Sequence, residues 1–423
     1  MLTLYICLGY CAAPLAFVLT LWRGIGDRSY WRALPERFGF GPTLAPGGIW
    51  IHAVSVGEVQ AAAVLVRSLR ARYPTLPLIV SCSTPTGRRR AEDLYAGEAI
   101  VRYLPYDLPD AVARFLRRIR PQVGVLVETE LWPNLYRAAA RRGIPLVIAS
   151  ARLSERSMRR YRCVRSLARR MLATGVVIAA QTEADAKRFV ALGAPLERTH
   201  VTGNLKFDFE LPPDVARAGD ALRALLGASR PVWVAGSTHA IEEEALLDAH
   251  LGLTPSGPAA LLVLAPRHPA RFAAVAALLE RRRVRAVRRT HGAAVTESTE
   301  VLLLDTLGEL LQFYAAADVA FVGGTLVPVG GHNLLEPAAL ARPIACGPYT
   351  ANSAAVAQQL IEVAALKVVA DARELSAQLM LWFDDPALRI EAGTHGRTVV
   401  ETNRGTLARL LALIEPSVRA AGD

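Results

Sequence analysis

The chain has 423 residues, more than one hydrophobic core usually supports, so we expect two domains of about 200 residues each. Apolar residues make up 52% and charged residues 21%, which is typical of a globular protein and not of a disordered one. The net charge of +11, carried almost entirely by arginine, favours an anionic partner, but its sign does not distinguish nucleic acid, an anionic membrane and an acidic substrate.

The cysteines indicate a reducing environment. There are five, an odd number, and none has CxxC or Cys/His ligand spacing: Cys7, Cys11, Cys82, Cys163 and Cys346. This favours free thiols in a cytoplasmic catalytic part over a disulfide framework. We expect no structural metal.

An uncharged segment opens the chain. Leu2–Trp22 contains no charged residue and is long enough to cross a hydrocarbon core as a helix. Arg23, Arg28 and Arg32 follow, and the positive-inside rule places them, with the body of the protein, on the cytoplasmic side. We predict a single membrane anchor at residues 1–22.

Two other interpretations of this segment remain. A cleaved signal peptide is disfavoured because no positive stretch precedes the apolar run. A helix that lies in the membrane interface, or that packs on the globular part, agrees with the interruptions at Gly9 and Pro14.

Beyond the anchor, short runs of Val, Ile and Leu alternate with amphipathic stretches, which predicts an α/β fold of parallel strands joined by helices. In a first domain at residues 33–210, strands are expected at Ile49–Ala53, Leu78–Ser81, Val123–Glu128, Leu146–Ala149 and Val176–Gln181. Open parallel sheets bind ligands beyond the carboxyl ends of their strands, so functional side chains should lie there.

A break in composition at Pro212 and Pro213 places the domain boundary between residues 208 and 228. A second α/β domain is predicted at 228–415, with strands at Val232–Ala235, Leu261–Ala265, Val301–Leu304, Val319–Val322 and Pro343–Ala345. The arginine run at 281–289 indicates a solvated helix end and loop, because no aromatic residues interleave it as in a nucleic-acid arm.

The turn after the first strand contains His52, Ser55, Gly57 and Glu58. Glu58, at the start of the next helix, is a candidate general base that takes a proton from an acceptor hydroxyl. The alternative is a glutamate that only complements the helix dipole. The spacing by itself leaves both open.

Two carboxylates, Glu128 and Glu130, follow the third predicted strand. Glutamates rarely end a buried strand without a partner or a task. On an extended backbone they point to the same side, so one should have a raised pKa or hold a basic partner such as Arg152. A structural ion pair is the competing interpretation.

The segment Thr202–Asp208 carries Lys206, one of only three lysines in a chain that uses arginine nearly everywhere else. A compact ammonium at this position could steady a leaving phosphate or the carboxylate of a sugar.

Two turns in the second domain are candidate phosphate contacts. Ser237 and Thr238 follow the first strand of that domain and could offer free N–H groups, although three glutamates at 242–244 argue against a dense anion site. Pro266 and Arg267 end the next strand and offer a guanidinium.

A glycine-rich stretch from Phe321 to Pro348 is the most informative. Gly323 and Gly324 follow a strand, and a second turn then opens a predicted helix with Gly330, Gly331, His332, Asn333, Leu334, Leu335 and Glu336. Glycines allow close backbone approach, a helix start presents amides to phosphate, and Glu336 can accept bonds from ribose hydroxyls. This combination indicates a nucleotide site. No Asp-x-Asp motif follows a strand, so we expect no metal ion and no other cofactor.

Taken together, these stretches resemble the 3-deoxy-D-manno-octulosonic acid (Kdo) transferase family. The resemblance spans nearly the whole chain and rests on HAVSVGE, STPTGRRRAE, YLPYDLPDAVARFL, VETELWPNL, ARLSERS, TGNLKFD, APRHPARF, LDTLGEL and FVGGTLVPVGGHNLLEP. One departure is Ser150, where the family often has Asn.

The resemblance implies a GT-B glycosyltransferase, in which two Rossmann-like doubly wound domains face a cleft. It implies an N-terminal acceptor domain, a C-terminal CMP-Kdo domain, and inverting transfer without a metal. The donor would be CMP-Kdo and the acceptor a lipid A precursor (lipid IVA) in the inner membrane, with no nucleic acid involved. An anionic lipid acceptor also accounts for the basic charge.

The resemblance also assigns residues. Glu58 would be the general base, and Glu128 and Lys206 would stabilise the transition state. The CMP contacts would be Pro266, Arg267, Leu307, Gly308, Glu309, Asn333, Leu334, Leu335 and Glu336. Of these, Leu307, Gly308 and Glu309 follow from the resemblance alone.

Two rival functions remain. A GT-B transferase or epimerase that uses a UDP-sugar would share the architecture and the glycine-rich turn. A non-catalytic, basic membrane-surface protein would bind anionic lipid or RNA through its arginines, but it gives no reason for carboxylates at strand ends.

Overall fold

A computed structural model describes residues 1–162, 164–254 and 259–418, so Cys163 lies outside the described residues. The chain packs as two compact units. The first comprises Met1–Phe209 and the C-terminal segment from Asn403 onward, and the second comprises Glu210–Thr402.

The first unit is built on strands and helices that alternate. Its strands are β1 Gly48–His52, β2 Leu78–Cys82, β3 Ile100–Tyr103, β4 Pro121–Val127, β5 Leu146–Ala151, β6 Val177–Ala180 and β7 Thr199–Val201. Its helices are α1 Leu2–Gly26, α2 Val56–Arg72, α3 Pro85–Leu94, α4 Pro109–Ile119, α5 Pro133–Ala140, α6 Glu155–Arg162, α7 Arg165–Leu172 and α8 Glu183–Leu192.

The second unit repeats the plan. Its strands are β8 Val232–Thr238, β9 Leu261–Pro266, β10 Ala286–Arg288, β11 Val301–Leu303, β12 Val319–Val322, β13 Ile344–Cys346 and β14 Leu366–Val368. Its helices are α9 Val215–Leu226, α10 Glu242–Leu251, α11 Phe272–Arg281, α12 Leu310–Ala316, α13 Leu335–Ala339, α14 Ala354–Glu362, α15 Ala372–Asp384 and α16 Pro386–Asn403, after which α17 Thr406–Ile414 returns to the first unit.

Each unit contains one parallel seven-stranded sheet, with strand orders β3-β2-β1-β4-β5-β6-β7 and β10-β11-β9-β8-β12-β13-β14. Apolar side chains pack on both faces of each sheet, as the near-continuous hydrophobic strands require. The predicted α/β class is confirmed. In the first sheet the strand order reverses between β1 and β4. In the second sheet β9, β10 and β11 all lie on one side of β8, and the chain crosses to the other side at β12. Such switch points, β1/β4 and β8/β12, are where open sheets bind ligands.

All ten predicted strands are present within three residues of their expected ends, and four short strands were missed: β3, β7, β10 and β14. These edge strands have three or four residues and weak hydrophobic patterns. The arginine run was partly misread, because Ala286–Arg288 forms β10 and pairs with β11. The helix α17 packs into the first unit through Leu410, Leu411 and Ile414, whereas the sequence placed it at the end of the second domain.

Candidate active site

The switch point of the first unit brings together the turns that follow β1 and β4. His52 at the end of β1 pairs in register with Leu126 near the end of β4. Glu58, at the start of the helix after β1, and Glu128, directly after β4, therefore lie at the same edge of the sheet.

Glu58 is the third residue of α2, and its carboxylate folds back over the start of the helix. Its Oε2 accepts a hydrogen bond from the Val54 N–H at 2.7 Å, and its Oε1 accepts one from the Ser55 hydroxyl at 3.0 Å. Ser55 caps the same helix by accepting from the Glu58 N–H. This is a variant of a capping box, so Glu58 has a structural role whatever its chemistry.

Burial raises the pKa of Glu58, and the nearby Glu128 carboxylate raises it further, while the Val54 and Ser55 hydrogen bonds and the Lys206 ammonium lower it. The net direction is upward, which makes the carboxylate a better proton acceptor. A Cβ at Gly57 would meet only the Ser55 hydroxyl at 4.0 Å, so the glycine leaves the surface beside Glu58 open.

Glu128 has a left-handed backbone with φ of +62°, which is strained for a residue with a Cβ. Its N–H donates to the Ala149 carbonyl at 2.8 Å, and its Oε1 accepts from the Lys206 Nζ at 3.1 Å. Glu128 therefore holds a basic partner, as one of the two expected alternatives had it, but the partner is Lys206 and not Arg152. The left-handed residue turns the chain away from the extended path on which the choice of Arg152 rested. The carbonyl of Arg152 instead accepts from the Thr129 hydroxyl.

The segment that carries Lys206 is fixed at both ends. The Leu205 N–H donates to the Ser150 Oγ at 3.0 Å, and Ser150 is itself left-handed with φ of +51°. Asp208 accepts from the N–H groups of Gly405 and Leu407 and so caps α17. These contacts hold the Lys206 backbone in place, so that its ammonium can meet Glu128.

Glu130 has a raised pKa of about 7. Burial is the main cause, the Glu58 and Glu128 carboxylates add to it, and a hydrogen bond of 2.5 Å from the Trp132 indole N–H opposes it. This confirms the expectation that one of the two carboxylates after β4 has a raised pKa. Glu58, Glu128, Glu130 and Lys206 therefore form one electrostatic group.

At the switch point of the second unit, a buried carboxylate accepts hydrogen bonds from backbone N–H groups of the glycine-rich loop. Glu242 accepts hydrogen bonds of 2.8–3.1 Å from the N–H groups of His239, Gly324, Thr325 and Leu326. The free N–H groups expected around Ser237 are therefore partly used within the protein, as are those of the loop that follows Gly323. The glutamates at 242–244 already argued against a dense anion site in the sequence analysis, but that analysis did not predict that Glu242 would bind these amides.

Two histidines meet above this loop. His239 Nε2 and His332 Nε2 are 2.8 Å apart, with ring planes 4° apart and centroids 5.1 Å apart. The centroid separation matches the N···N distance plus two ring radii, so the rings lie end to end and share one hydrogen bond. Burial lowers the pKa of His332 to about 4, so it is neutral at physiological pH.

The second glycine turn presents Asn333 and Glu336. Gly330 and Gly331 have φ of +101° and +80°, and a Cβ at Gly330 would lie 2.8 Å from the Asn352 amide, so the turn requires glycine there. The Asn333 amide donates to Glu336 Oε1 at 3.0 Å, and burial raises the pKa of Glu336. Leu334 and Leu335 are buried, so only their main chain can reach a ligand. The predicted helix start is the five-residue α13.

The remaining predicted nucleotide contacts differ in how they are held. Pro266 ends β9, and Arg267 is exposed and lowers the pKa of Glu336. Among the described residues, the Arg267 guanidinium has no ion-pair partner. Leu307 is 69% exposed, Gly308 has φ of +87° in open space, and Glu309 pairs with Arg289 at 2.8 Å.

Ser237 and Thr238 end β8. Ser237 has a left-handed backbone with φ of +57°, and its carbonyl lies so close to Gly323 that a Cβ there would clash at 2.4 Å. Thr238 is buried, and its hydroxyl has no hydrogen-bond partner among the described residues. The two residues form a tight backbone junction beside His239 rather than an open anion cradle.

Comparison with protein families matches residues 32–209 to the 3-deoxy-D-manno-octulosonic-acid transferase (kdotransferase) family. A 3-deoxy-D-manno-octulosonic acid transferase of Haemophilus influenzae is 41% identical over 393 residues, covering 92% of each chain. A protein of the same name from Bordetella pertussis is 38% identical over 398 residues, covering 90% of this chain and 91% of its own.

Among solved structures, a UDP-GlcNAc 2-epimerase from Neisseria meningitidis matches with a TM-score of 0.53 at 12% identity, over 86% of this chain and all of its own. The Anabaena protein HepE in complex with UDP matches with a TM-score of 0.52 at 14% identity, over 88% of this chain. At these identities the likeness shows a shared fold and nothing about substrates.

Proposed function

The chain belongs to the Kdo transferase family, and we propose that it transfers Kdo from CMP-Kdo to a lipid A precursor. It is a glycosyltransferase of lipopolysaccharide synthesis with a GT-B-like fold. The transfer is proposed to invert the anomeric centre, with Glu58 as general base. The observation that carries this proposal is the position of Glu58. Its partly desolvated carboxylate lies at the β1/β4 switch point, beside the Glu128–Lys206 ion pair.

In the proposed reaction, Glu58 takes the proton of a lipid hydroxyl as that oxygen attacks the anomeric carbon of Kdo. The bond between the anomeric carbon and the phosphate oxygen breaks in the same displacement, and its electron pair leaves with CMP. Lys206 supplies positive charge close to the carboxylates, and Glu128 orients the ammonium through its 3.1 Å contact.

The second unit is proposed to bind the nucleotide. The exposed Arg267 guanidinium suits the phosphate, and the carboxylate of Glu336, held by Asn333, suits ribose hydroxyls. The remaining contacts are proposed at Pro266, Leu307, Gly308, Glu309, Leu334 and Leu335. We also propose that the helix α1 attaches the protein to the inner membrane with both units on the cytoplasmic side. An 18-residue window of α1 has a mean hydropathy of 2.0, and Arg23 follows its apolar run.

The variant Glu58→Gln tests the proposal, because glutamine keeps the acceptor for the Val54 N–H and so preserves the helix cap, while it cannot take a proton. With CMP-Kdo and a tetra-acylated lipid A precursor in detergent, kcat should fall by about 10²–10⁴-fold with the unfolding temperature little changed. The exposed Glu155→Gln is the matched control and should be fully active.

Product mass and nucleotide choice complete this test. The lipid should gain the mass of one or more Kdo units as CMP is released, and CMP should compete with the donor while UDP does not. Full activity of Glu58→Gln would remove Glu58 from the role of base. Competition by UDP alone would favour the UDP-sugar enzyme instead.

A further inference from the structure

One face of α1 packs along the first unit over the whole length of the helix. Its less exposed positions recur every three or four residues, at Leu2, Ile6, Gly9, Ala13, Phe17 and Thr20. This is the spacing of a single helix face. Phe17 packs edge to face on Phe38, with ring centroids 5.7 Å apart, and Gly9 lies against Leu108.

Polar contacts fix the same helix at three points. The Tyr5 hydroxyl donates to the Asp107 carboxylate at 3.0 Å, and the Tyr10 hydroxyl donates to Asp110 at 2.7 Å. The Thr20 hydroxyl lies 3.2 Å from the Tyr106 hydroxyl. Tyr5 and Thr20 are 15 residues apart, about 22 Å along a helix, so the contacts hold α1 side-on to the unit rather than by one end.

The opposite face of α1 is apolar and exposed. Its large side chains are Leu4, Leu8, Leu15, Val18, Trp22 and Ile25, of which Trp22 is 68% and Ile25 74% exposed. At about 100° per residue, this set lies across the helix from the docked set. Among the described residues of the first unit, none covers these exposed side chains.

A span of the bilayer by α1 conflicts with these contacts. Asp107, Asp110 and Arg114, which pairs with Asp110 at 2.7 Å, would have to enter the hydrocarbon core with the helix, or the helix would have to leave the unit and lose all three hydroxyl contacts. Charged groups are costly in a bilayer core.

We propose that α1 lies parallel to the membrane, docked on the first unit through Asp107 and Asp110, with its outer face inserted in the interfacial layer of an anionic phospholipid leaflet. Arg23 and Arg28 at the end of the helix complement the phospholipid headgroups. The proposal goes beyond the proposed function, which requires attachment to the membrane but no particular orientation of α1.

The docking point is shared with the candidate active site. Asp107 also accepts hydrogen bonds from the N–H groups of Asn134 and Leu135, at 3.0 and 2.9 Å, which are the first amides of α5. The segment just before α5 holds Trp132, which binds Glu130. One carboxylate thus connects the membrane-facing helix with the glutamates after β4.

The test determines on which side of the membrane the start of the chain lies. With Cys7, Cys11 and Cys163 replaced by serine, the exposed Thr3→Cys is labelled with a membrane-impermeant maleimide in spheroplasts and in inverted inner-membrane vesicles. Glu391→Cys, on the exposed surface of the second unit, is the matched control.

Labelling of both cysteines only in inverted vesicles is the expected result, since the in-plane helix keeps residue 3 on the same side as the body. Labelling of Thr3→Cys in spheroplasts, with Glu391→Cys labelled only in inverted vesicles, would establish a span and overturn the proposal. If residue 3 is labelled from neither side until detergent is added, it lies inside the hydrocarbon core, and this result would also overturn the proposal. None of these outcomes depends on activity, so the proposed function is tested separately.

Discussion

The Lys206 ammonium lies 3.1 Å from the carboxylate of Glu128, a residue whose backbone is left-handed. Both charges act on Glu58 but in opposite directions, because Glu128 raises the pKa of Glu58 and Lys206 lowers it. Burial has the largest effect on the pKa of Glu58, and this ion pair adjusts that pKa further.

Removing the positive or the negative charge of this ion pair should shift the acid limb of the pH–rate profile in opposite directions. Glu58 must be ionised to act, so Lys206→Met should move the limb to higher pH and Glu128→Gln should move it to lower pH. Both variants should also lose turnover, so normalised pH profiles of kcat/KM are the measurement. A shift of the same sign in both would show that Glu58 is not the group that titrates.

Glu130→Gln should stabilise the protein at alkaline pH relative to the unchanged chain. The folded pKa of about 7 lies above the usual 4.5, so the ionised carboxyl costs stability as pH rises from 4.5 through 7. The gain above pH 7 should be on the order of 2 kcal/mol and should vanish near pH 4. Denaturant unfolding at pH 5 and pH 8 measures it, with the exposed Glu155→Gln as the variant expected to show no pH-dependent gain.

His52→Asn should make acid destabilisation less steep. Burial lowers the pKa of His52 to about 4, against 6.5 for a free histidine, so the unfolded chain takes up the proton first and stability is lost as pH falls from 6.5 to 4. Removing this histidine should reduce the slope by up to about 1.4 kcal/mol per pH unit. An unchanged slope in urea titrations across this range would contradict a neutral buried His52.

Glu242→Gln should destabilise the second unit strongly. The carboxylate accepts from four backbone N–H groups, whereas a glutamine has one acceptor oxygen and turns two N–H donors toward these N–H groups. The free energy of unfolding should fall by at least about 2 kcal/mol. CMP binding should also weaken, because the glycine-rich loop loses hydrogen bonds that hold it in place. The neighbouring exposed Glu244→Gln should change neither the unfolding temperature nor the affinity in calorimetry.

The sequence by itself determined the α/β class, ten of the strands and the position of the candidate carboxylates after β1 and β4. Hydrophobic runs of Val, Ile and Leu are local signals, and parallel topology follows from them because buried strands must be covered by helices on both faces. The family resemblance could also be recognised from the sequence, because its motifs are contiguous stretches of residues.

Only the tertiary structure decided which groups act on one another. The choice of Lys206 over Arg152 as the partner of Glu128 depends on a left-handed residue and on the Ser150 and Asp208 contacts that hold Lys206, and these join segments distant in sequence. The capture of the glycine-loop amides by Glu242 and the side-on docking of α1 have the same origin. Each depends on packing across long sequence separations, where pattern and propensity carry no information.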